Sequence, residues 1–359
     1  MKYKFWLASL IGISNEVKRL LISSGNSAEQ LYYMEDSKLS QIELLSDNQR
    51  ELINKSRKNG DIDVKWKEFL EKGIDFITFE DNGFPEKLKN ISNCPYALFY
   101  IGKLPNQNKM SVSIVGARER SSYGCEVAKK LGQILALNDI NVISGLARGI
   151  DRDGHIGALQ GNGETFAILG SGVDVCYPRE NKFLYDEIKN NGGIISEFLP
   201  GTNAIPLNFP LRNRIISGLS DIVVVIEAKL KSGSLITADF AMEQGKDVYV
   251  VPGRITDTLS KGCNRLIKQG AGIISDIDEF VSDITVTAFT ECVQLDFRKN
   301  LLDKKDSLVY SLLDFCPVSI GTLFEKLPFE LGELLEIIER LKQTGYIKEQ
   351  IPNHYVKCL

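Results

Sequence analysis

The sequence has few of the residues that metal sites and disulfide frameworks require. Its 359 residues include two histidines, His155 and His354, and seven cysteines that are scattered and never spaced as C-x-x-C. Structural zinc sites use cysteines and histidines at short, paired spacings, so the sequence argues against a metal site. The odd number of scattered cysteines favours a reducing compartment, and we expect a cytoplasmic protein.

Long apolar runs and a strong excess of one charge are also missing. The early apolar stretch Phe5–Ile13 is shorter than the roughly 20 residues of a membrane-spanning helix, and no small-residue cleavage site follows it. We therefore predict the start of a buried helix there and no association with a membrane. With 43 Lys and Arg against 47 Asp and Glu, the net charge is −4. A protein that coats polyanions through its overall charge is thus excluded, and a nucleic-acid site would need locally clustered cations.

The rest of the composition is that of a folded globular protein, with 43% apolar and 25% charged residues. At about 150 residues per domain, the length predicts two to three folding units. The middle one is marked by glycine, since 21 of the 30 glycines fall between Ser111 and Phe280. Buried apolar strands alternate with helical patterns there, which predicts an α/β fold with a Rossmann-like parallel sheet. The predicted strands are Val112–Val115, Val142–Ser144, Thr165–Leu169, Gly193–Ser196, Ile222–Ile226 and Val248–Val251.

The flanking segments predict smaller modules. Residues 1–72 carry helical periodicity, including Ile42–Ile53, and form a small helical module that faintly resembles helix-hairpin-helix or sterile-alpha-motif modules. Residues 73–285 form the extended Rossmann-like domain, with two added strands near Ile74–Phe79 and Leu98–Ile101. A linker over 286–305 precedes a winged-helix module over 306–359. The acidic third helix of that module, Glu330–Gln343, favours contact with protein over DNA.

Several predicted strands end in glycine turns that lead into helices. The first, Gly116–Gly124, brings Gly116, Arg118, Ser121 and Tyr123 to a helix start, where free N–H groups favour an anion and the tyrosine ring offers a stacking surface. An ordinary helix cap with surface arginines is the alternative. The turn matches neither G-x-G-x-x-G nor G-x-x-x-x-G-K-[ST], so we expect no dinucleotide and no ATP cofactor.

Further predicted strands also end in turns that lead into helix starts with free N–H groups. Because ligands of open α/β sheets bind beyond the carboxyl ends of the strands, we expect these turns to form one shared groove. The loop after the second strand contains Gly145 and leads to Asp151 and His155, four residues apart on one helix face. Those two form either an acid/base pair or, more commonly, a structural hydrogen bond. The other contributing residues are Phe209, Arg212, Asn213 and Arg214 at one helix start, and Lys231, Ser232 and Ser234 at another.

In chain order these segments resemble the bacterial DNA-processing protein A family, also called DprA or Smf. The matching segments are Gly116–Gly124, Ser144–Asp151, Leu169–Asn181, Phe209–Arg214, Ser232–Ala238 and Val251–Gly253. The resemblance implies a single-stranded DNA-binding, homodimeric protein that delivers the RecA recombinase to incoming strands during natural transformation, with no bond chemistry. Carried over by position, it assigns Arg118, Ser121, Arg212, Asn213 and Arg214 to the strand-binding pocket, with Gly145, Phe209, Ser232 and Ser234 lining it and Lys231 as an extra phosphate contact.

Two other hypotheses for the function of the groove remain open. The first is a phosphoribohydrolase-like enzyme, whose P-G-G-x-G-T-x-x-E motif supplies a catalytic glutamate. Here Thr237 stands where that glutamate belongs, so Glu197 or Glu227 would have to replace it. The second is a nucleotide sensor that signals through the winged helix.

Overall fold

The computed structural model of the protein describes residues 1–58, 61–285, 304–313, 317–344 and 346–357. The chain divides into two compact units, Met1–Asp283 and Ile284–Leu359. The predicted linker over 286–305 lies almost wholly outside the described residues. The finer division of the chain at residues 72, 285 and 305 stays a prediction.

The first unit begins with a set of short helices, as the amino-terminal periodicity predicts. One predicted helix, Ile42–Ile53, begins later than expected, at Asp47. The reason is a reciprocal cap, in which Ser46 N donates to Gln49 Oε1 at 3.0 Å and Gln49 N donates to Ser46 Oγ at 3.4 Å. The helices are α1 (Lys2–Ser9), α2 (Asn15–Ser23), α3 (Ala28–Tyr33), α4 (Asp36–Leu39), α5 (Asp47–Lys58) and α6 (Ile62–Glu71).

A nine-stranded sheet follows, and its strand order is β1-β2-β6-β5-β4-β3-β7-β8-β9. The strands are β1 (Asp75–Thr78), β2 (Ala97–Gly102), β3 (Ser111–Val115), β4 (Asn141–Ser144), β5 (Thr165–Ile168), β6 (Gly192–Ser196), β7 (Ile222–Val225), β8 (Asp247–Val250) and β9 (Gly272–Ile273). From β6 to β9 the neighbours are parallel, whereas β1 and β2 are antiparallel additions. The predicted strands are confirmed, and only the two-residue β9 is new.

Helices cover both faces of this sheet. They are α7 (Glu86–Lys89), α8 (Ser122–Leu137), α9 (Ile150–Gln160), α10 (Lys182–Asn190), α11 (Asn208–Leu219), α12 (Gly233–Glu243), α13 (Lys261–Lys268) and α14 (277–285). Because side chains alternate across a strand, Ile194 packs in the core that includes α10 and the amino-terminal helices, while Ile195 packs in the core that includes α11 and α12. The strand order reverses at β3, so a crevice opens beyond the carboxyl ends of the strands beside it.

The second unit contains the three helices predicted for it, α15 (Lys304–Leu312), α16 (Ile320–Lys326) and α17 (Leu331–Gln343). They pack with a three-stranded antiparallel sheet of order β10-β12-β11, formed by β10 (Val318–Ser319), β11 (Ile347–Ile351) and β12 (His354–Lys357). Its core includes Val309, Leu323, Leu334, Ile338 and Tyr355. This is the arrangement expected of a winged helix. Across the described parts of both units, every helix is too short or too polar to cross a membrane.

Helices α8 and α9 approach so closely that glycine is required at their contact. A Cβ at Gly157 would lie 2.1 Å from the carbonyl oxygen of Lys129. By contrast, a Cβ at Gly233, in the first turn of α12, would meet no atom within 4 Å. Close packing of the two helices therefore depends on the absence of a side chain at residue 157.

We predict that Gly157→Ala lowers the free energy of unfolding by about 1–3 kcal/mol, because the added methyl group forces α8 and α9 apart. Gly233→Ala is the matched control and should leave stability unchanged or slightly raised. Urea denaturation followed by tryptophan fluorescence measures both, since Trp6 lies in the core that includes α10. Equal stability of the two variants would contradict the close contact.

Candidate functional site

A groove of about 600 Å³ lies beyond the carboxyl ends of the parallel strands. Four loops that follow strands form its walls, together with the first two turns of α11. They contribute Ala117 and Arg118 after β3, Ala147 after β4, Tyr177 after β5, and the segment 229–234 after β7. The groove therefore stands where the sheet topology places ligands.

Arg212 is the buried cation of this groove. The residue is 4% exposed, and its Nη1 donates to the carbonyl oxygens of Gly145, at 2.8 Å, and of Ile168. Burial lowers the pKa of Arg212 to about 10, while the nearby Asp151 carboxylate opposes that shift. The side chain remains charged at neutral pH and is held mainly by carbonyl groups.

Asp151 and His155 do not act as a pair. Asp151 lines the groove and accepts a hydrogen bond from the backbone N–H of Gly145 at 3.1 Å, and burial raises its pKa. His155 is fully buried, its Nδ1 lies 2.7 Å from Thr165 Oγ1, and burial lowers its pKa to about 3. Each residue thus has a separate partner, and neither the acid/base pair nor a hydrogen bond between the two is seen in the described residues.

Phe209 organises the cationic side of the groove. The guanidinium carbons of Arg118 and Arg212 lie 5.6 and 5.9 Å from its ring centroid, within the range of cation–π attraction. On another side the ring packs against Gly170, where a Cβ would stand 2.9 Å from Cδ1 of the ring. The Tyr177 ring lies beside it, with centroids 5.5 Å apart. Phe209 thus brings an exposed arginine and a buried one to the same surface.

The amino end of α12 supplies another wall of the groove. Ser232 caps this helix, with its hydroxyl 2.8 Å from that of Ser234, and Asn213 Nδ2 donates to the Gly233 carbonyl at 3.2 Å. Lys231 is exposed beside the cap. Unpaired N–H groups and the positive helix end favour an anion at this wall.

The helix start at α8 differs from what its sequence predicts. Ser121 caps α8 by accepting from Gly124 N at 3.0 Å, and its hydroxyl also donates to the buried carboxylate of Glu227. The backbone N–H of Ser121 donates to the other Glu227 oxygen at 2.9 Å. The anion expected at this helix end is therefore an internal carboxylate. Tyr123 is exposed but lies outside the groove lining.

Arg214 points away from the groove. Its Nη1 and Nη2 donate to the two oxygens of Glu197 at 2.7 and 2.6 Å, and its Nε donates to the Asn93 carbonyl at 3.0 Å. Asn15, at the start of α2, donates to the same Glu197 carboxylate at 3.1 Å. Because residues two apart on a helix face nearly opposite directions, Arg212 reaches the groove while Arg214 ties α11 to the amino-terminal helices.

Most of the sequence-predicted binding residues line the groove: Gly116, Arg118, Phe209, Arg212, Asn213, Lys231, Ser232 and Ser234. Gly145 lies directly behind Arg212, and Ser121, Tyr123 and Arg214 are placed elsewhere. Sequence reasoning missed Tyr177, although this residue follows the third strand and so belongs to the same edge of the sheet. A role of any of these residues in binding stays a prediction. In the described ranges, no three His, Cys, Asp or Glu side chains cluster as metal ligands would.

Comparison with known proteins identifies relatives of the chain. A family model described as DNA recombination-mediator protein A matches residues 75–285. The DNA processing protein DprA of Streptococcus pneumoniae is 43% identical over 203 residues, which are 56% of this chain and 72% of that protein. The X-ray structure of DNA processing protein A from S. pneumoniae matches with a TM-score of 0.69 and 34% identity, covering 79% of this chain and 97% of that one.

A second solved structure concerns the single-stranded DNA binding mode of DNA processing protein A from Helicobacter pylori. It matches with a TM-score of 0.54 and 29% identity, and the match covers 59% of this chain and 96% of that chain.

The contacts of Arg214 generate a stability prediction. Replacing Arg214 by Met leaves the Glu197 carboxylate buried without its cation, so we expect a loss of about 3–5 kcal/mol in unfolding free energy. Arg118→Met, at an exposed position, should change stability by about 0.5 kcal/mol or less. Urea denaturation of both variants checks this. A stable Arg214→Met protein would show that the ion pair with Glu197 is not structural.

Proposed function

The chain belongs to the DNA recombination-mediator protein A family, and on that basis we propose that it is a single-stranded DNA-binding recombination mediator whose strand lies in the groove. Family membership places the chain among DNA-processing proteins. The H. pylori relative, whose structure concerns single-stranded DNA binding, supports the same class of ligand.

The observation that carries the proposal is a cluster of cations that form no salt bridge. Arg118, Arg212 and Lys231 line one groove, and within the described residues none of them forms a salt bridge. Guanidinium groups bind phosphate through two parallel hydrogen bonds, and the start of α12 adds N–H donors. Such a wall fits the backbone of a single strand, with Asn213, Ser232 and Ser234 as its polar contacts.

The wider role follows from the family. We propose that the protein forms a homodimer, acts in the cytoplasm, and loads the RecA recombinase onto incoming strands during natural transformation. The winged-helix unit then serves contact with a protein, because α17 carries Glu333, Glu336 and Glu339 and would repel a DNA backbone.

A binding protein also fits the groove better than a phosphoribohydrolase does. Thr237 is buried in the groove wall where the catalytic glutamate of that motif would stand. The two glutamates that could replace it are engaged elsewhere, Glu227 at the α8 cap and Glu197 with Arg214. The carboxylates that do line the groove are Asp151, which accepts a hydrogen bond from the Gly145 N–H, and Glu119, which pairs with Lys229.

We predict that Arg118→Ala and Lys231→Ala each weaken binding of a labelled oligothymidylate and flatten its salt dependence by about 0.7 in log–log slope, the value for one neutralised phosphate on a single strand. Fluorescence anisotropy at several salt concentrations measures this.

Lys130→Ala is the matched control, because Lys130 is an exposed cation outside the groove, paired with Asp278. It should leave the slope unchanged. If the wild type failed to bind at low salt, the proposal would be wrong, and a small nucleotide would become the preferred ligand.

We also predict that incubation with nucleoside monophosphates releases no free base, since Thr237 stands in place of the catalytic glutamate and the groove carboxylates Asp151 and Glu119 are engaged by Gly145 and Lys229. Chromatographic analysis of the products tests this expectation. Release of base that is lost in Asp151→Asn but kept in Lys130→Ala would instead establish an enzyme.

A further inference from the structure

Tyr177 presents an aromatic ring to the groove. The residue lines the groove beyond the end of β5 and is 48% exposed. One side of its ring is supported by Phe209, with the ring planes tilted by 39°. Among the described residues its hydroxyl has no hydrogen-bond partner, so no polar contact explains why a large ring stands at this wall.

Phe209 is less free to receive a ligand. Its ring is already contacted by the Gly170 backbone, by Tyr177 and by the guanidinium groups of Arg118 and Arg212. Tyr123 is 57% exposed but lies outside the groove. Of the two aromatic residues that line the groove, Tyr177 is therefore the one with open ring surface.

The surroundings of Tyr177 suit a flat apolar group. Ala147, Pro206 and Pro210 line the same groove, and they offer neither charge nor side-chain hydrogen bonds. Phe209, the neighbour of Tyr177, lies one helical turn before Asn213, which contacts the start of α12. Tyr177 therefore stands beside the cations of the groove, because Arg118 and Arg212 lie at the same Phe209 ring that supports it.

We propose that Tyr177 stacks on a base of the bound strand, while Arg118 and Lys231 contact its phosphates. The groove then contacts both the bases and the backbone of a nucleotide strand. A polyanion without bases makes only the phosphate contacts. This inference rests on the proposed function, which supplies the strand, and adds a residue that touches its bases. Stacking on an aromatic side chain tolerates every base because each has a π-face.

The test compares two ligands of equal charge: an oligothymidylate, and the same backbone with abasic tetrahydrofuran residues in place of the thymidines. We expect Tyr177→Leu to weaken binding of the oligothymidylate roughly 5- to 150-fold. Binding of the abasic strand should stay within about twofold of wild type. Tyr177→Phe keeps the ring and should bind both strands as the wild type does.

Tyr123→Leu is the matched control, because Tyr123 is an exposed tyrosine that lies outside the groove. This variant should bind the oligothymidylate and the abasic strand as tightly as the wild type does. Equal losses on the two strands in Tyr177→Leu would overturn the inference, because Tyr177 would then act through the fold or the backbone contacts. Unchanged affinity of Tyr177→Leu for the oligothymidylate would also overturn it, while leaving the proposed function intact. Failure of the wild type to bind either strand would overturn both.

Discussion

The burial of one guanidinium group is the interaction on which the groove depends. Arg212 is withdrawn from water without a salt bridge, and carbonyl groups at the ends of the neighbouring strands β4 and β5 hold it. A cation placed in this way retains part of its electrostatic capacity for a ligand, whereas a carboxylate partner would neutralise it. Its position also fixes Phe209, one turn earlier on α11, and through Phe209 the exposed Arg118. The loops and α11 are therefore organised around a buried guanidinium that forms no salt bridge, although the Asp151 carboxylate lies near enough to raise its pKa.

The second arginine of α11, Arg214, fixes the same helix on the side that faces away from the groove. Arg214 and Glu197 form a buried pair of side chains 5% and 9% exposed, and Asn15 from the amino-terminal helices joins it. The helical module thus contacts the element that carries Arg212. A displacement of α2 would move Glu197 and through it α11, because Asn15 of α2 and Arg214 of α11 both donate hydrogen bonds to the Glu197 carboxylate. The amino-terminal helices are in this sense part of the support of the groove.

The sequence predicts the parts of this arrangement that depend on local pattern or on topology. Continuous β-branched runs such as Ile222–Val225 identify buried strands, and parallel strands necessarily bring their following loops to one edge. The sequence does not predict the direction in which a side chain points, nor a hydrogen-bonding partner that is distant in the chain. The family resemblance assigns Arg214 and Ser121 to the pocket by position, but Glu197 and Glu227, from other loops, accept their hydrogen bonds. Tyr177 was missed for the converse reason, since nothing in its own segment shows that Phe209 stands beside it.

The acidic net charge of the chain is compatible with a groove for a polyanion because charge acts locally. At physiological ionic strength, exposed charges more than about 8 Å apart are largely screened from one another. Many surface lysines of the first unit are paired with carboxylates, among them Lys2 with Asp63 and Lys103 with Glu164. The groove lining contains four cations, Arg118, Arg212, Lys229 and Lys231, and two carboxylates, Glu119 and Asp151. A further nearby carboxylate, Glu227, is held by the α8 cap. The groove lining therefore has a local excess of cations, although the whole chain is negative.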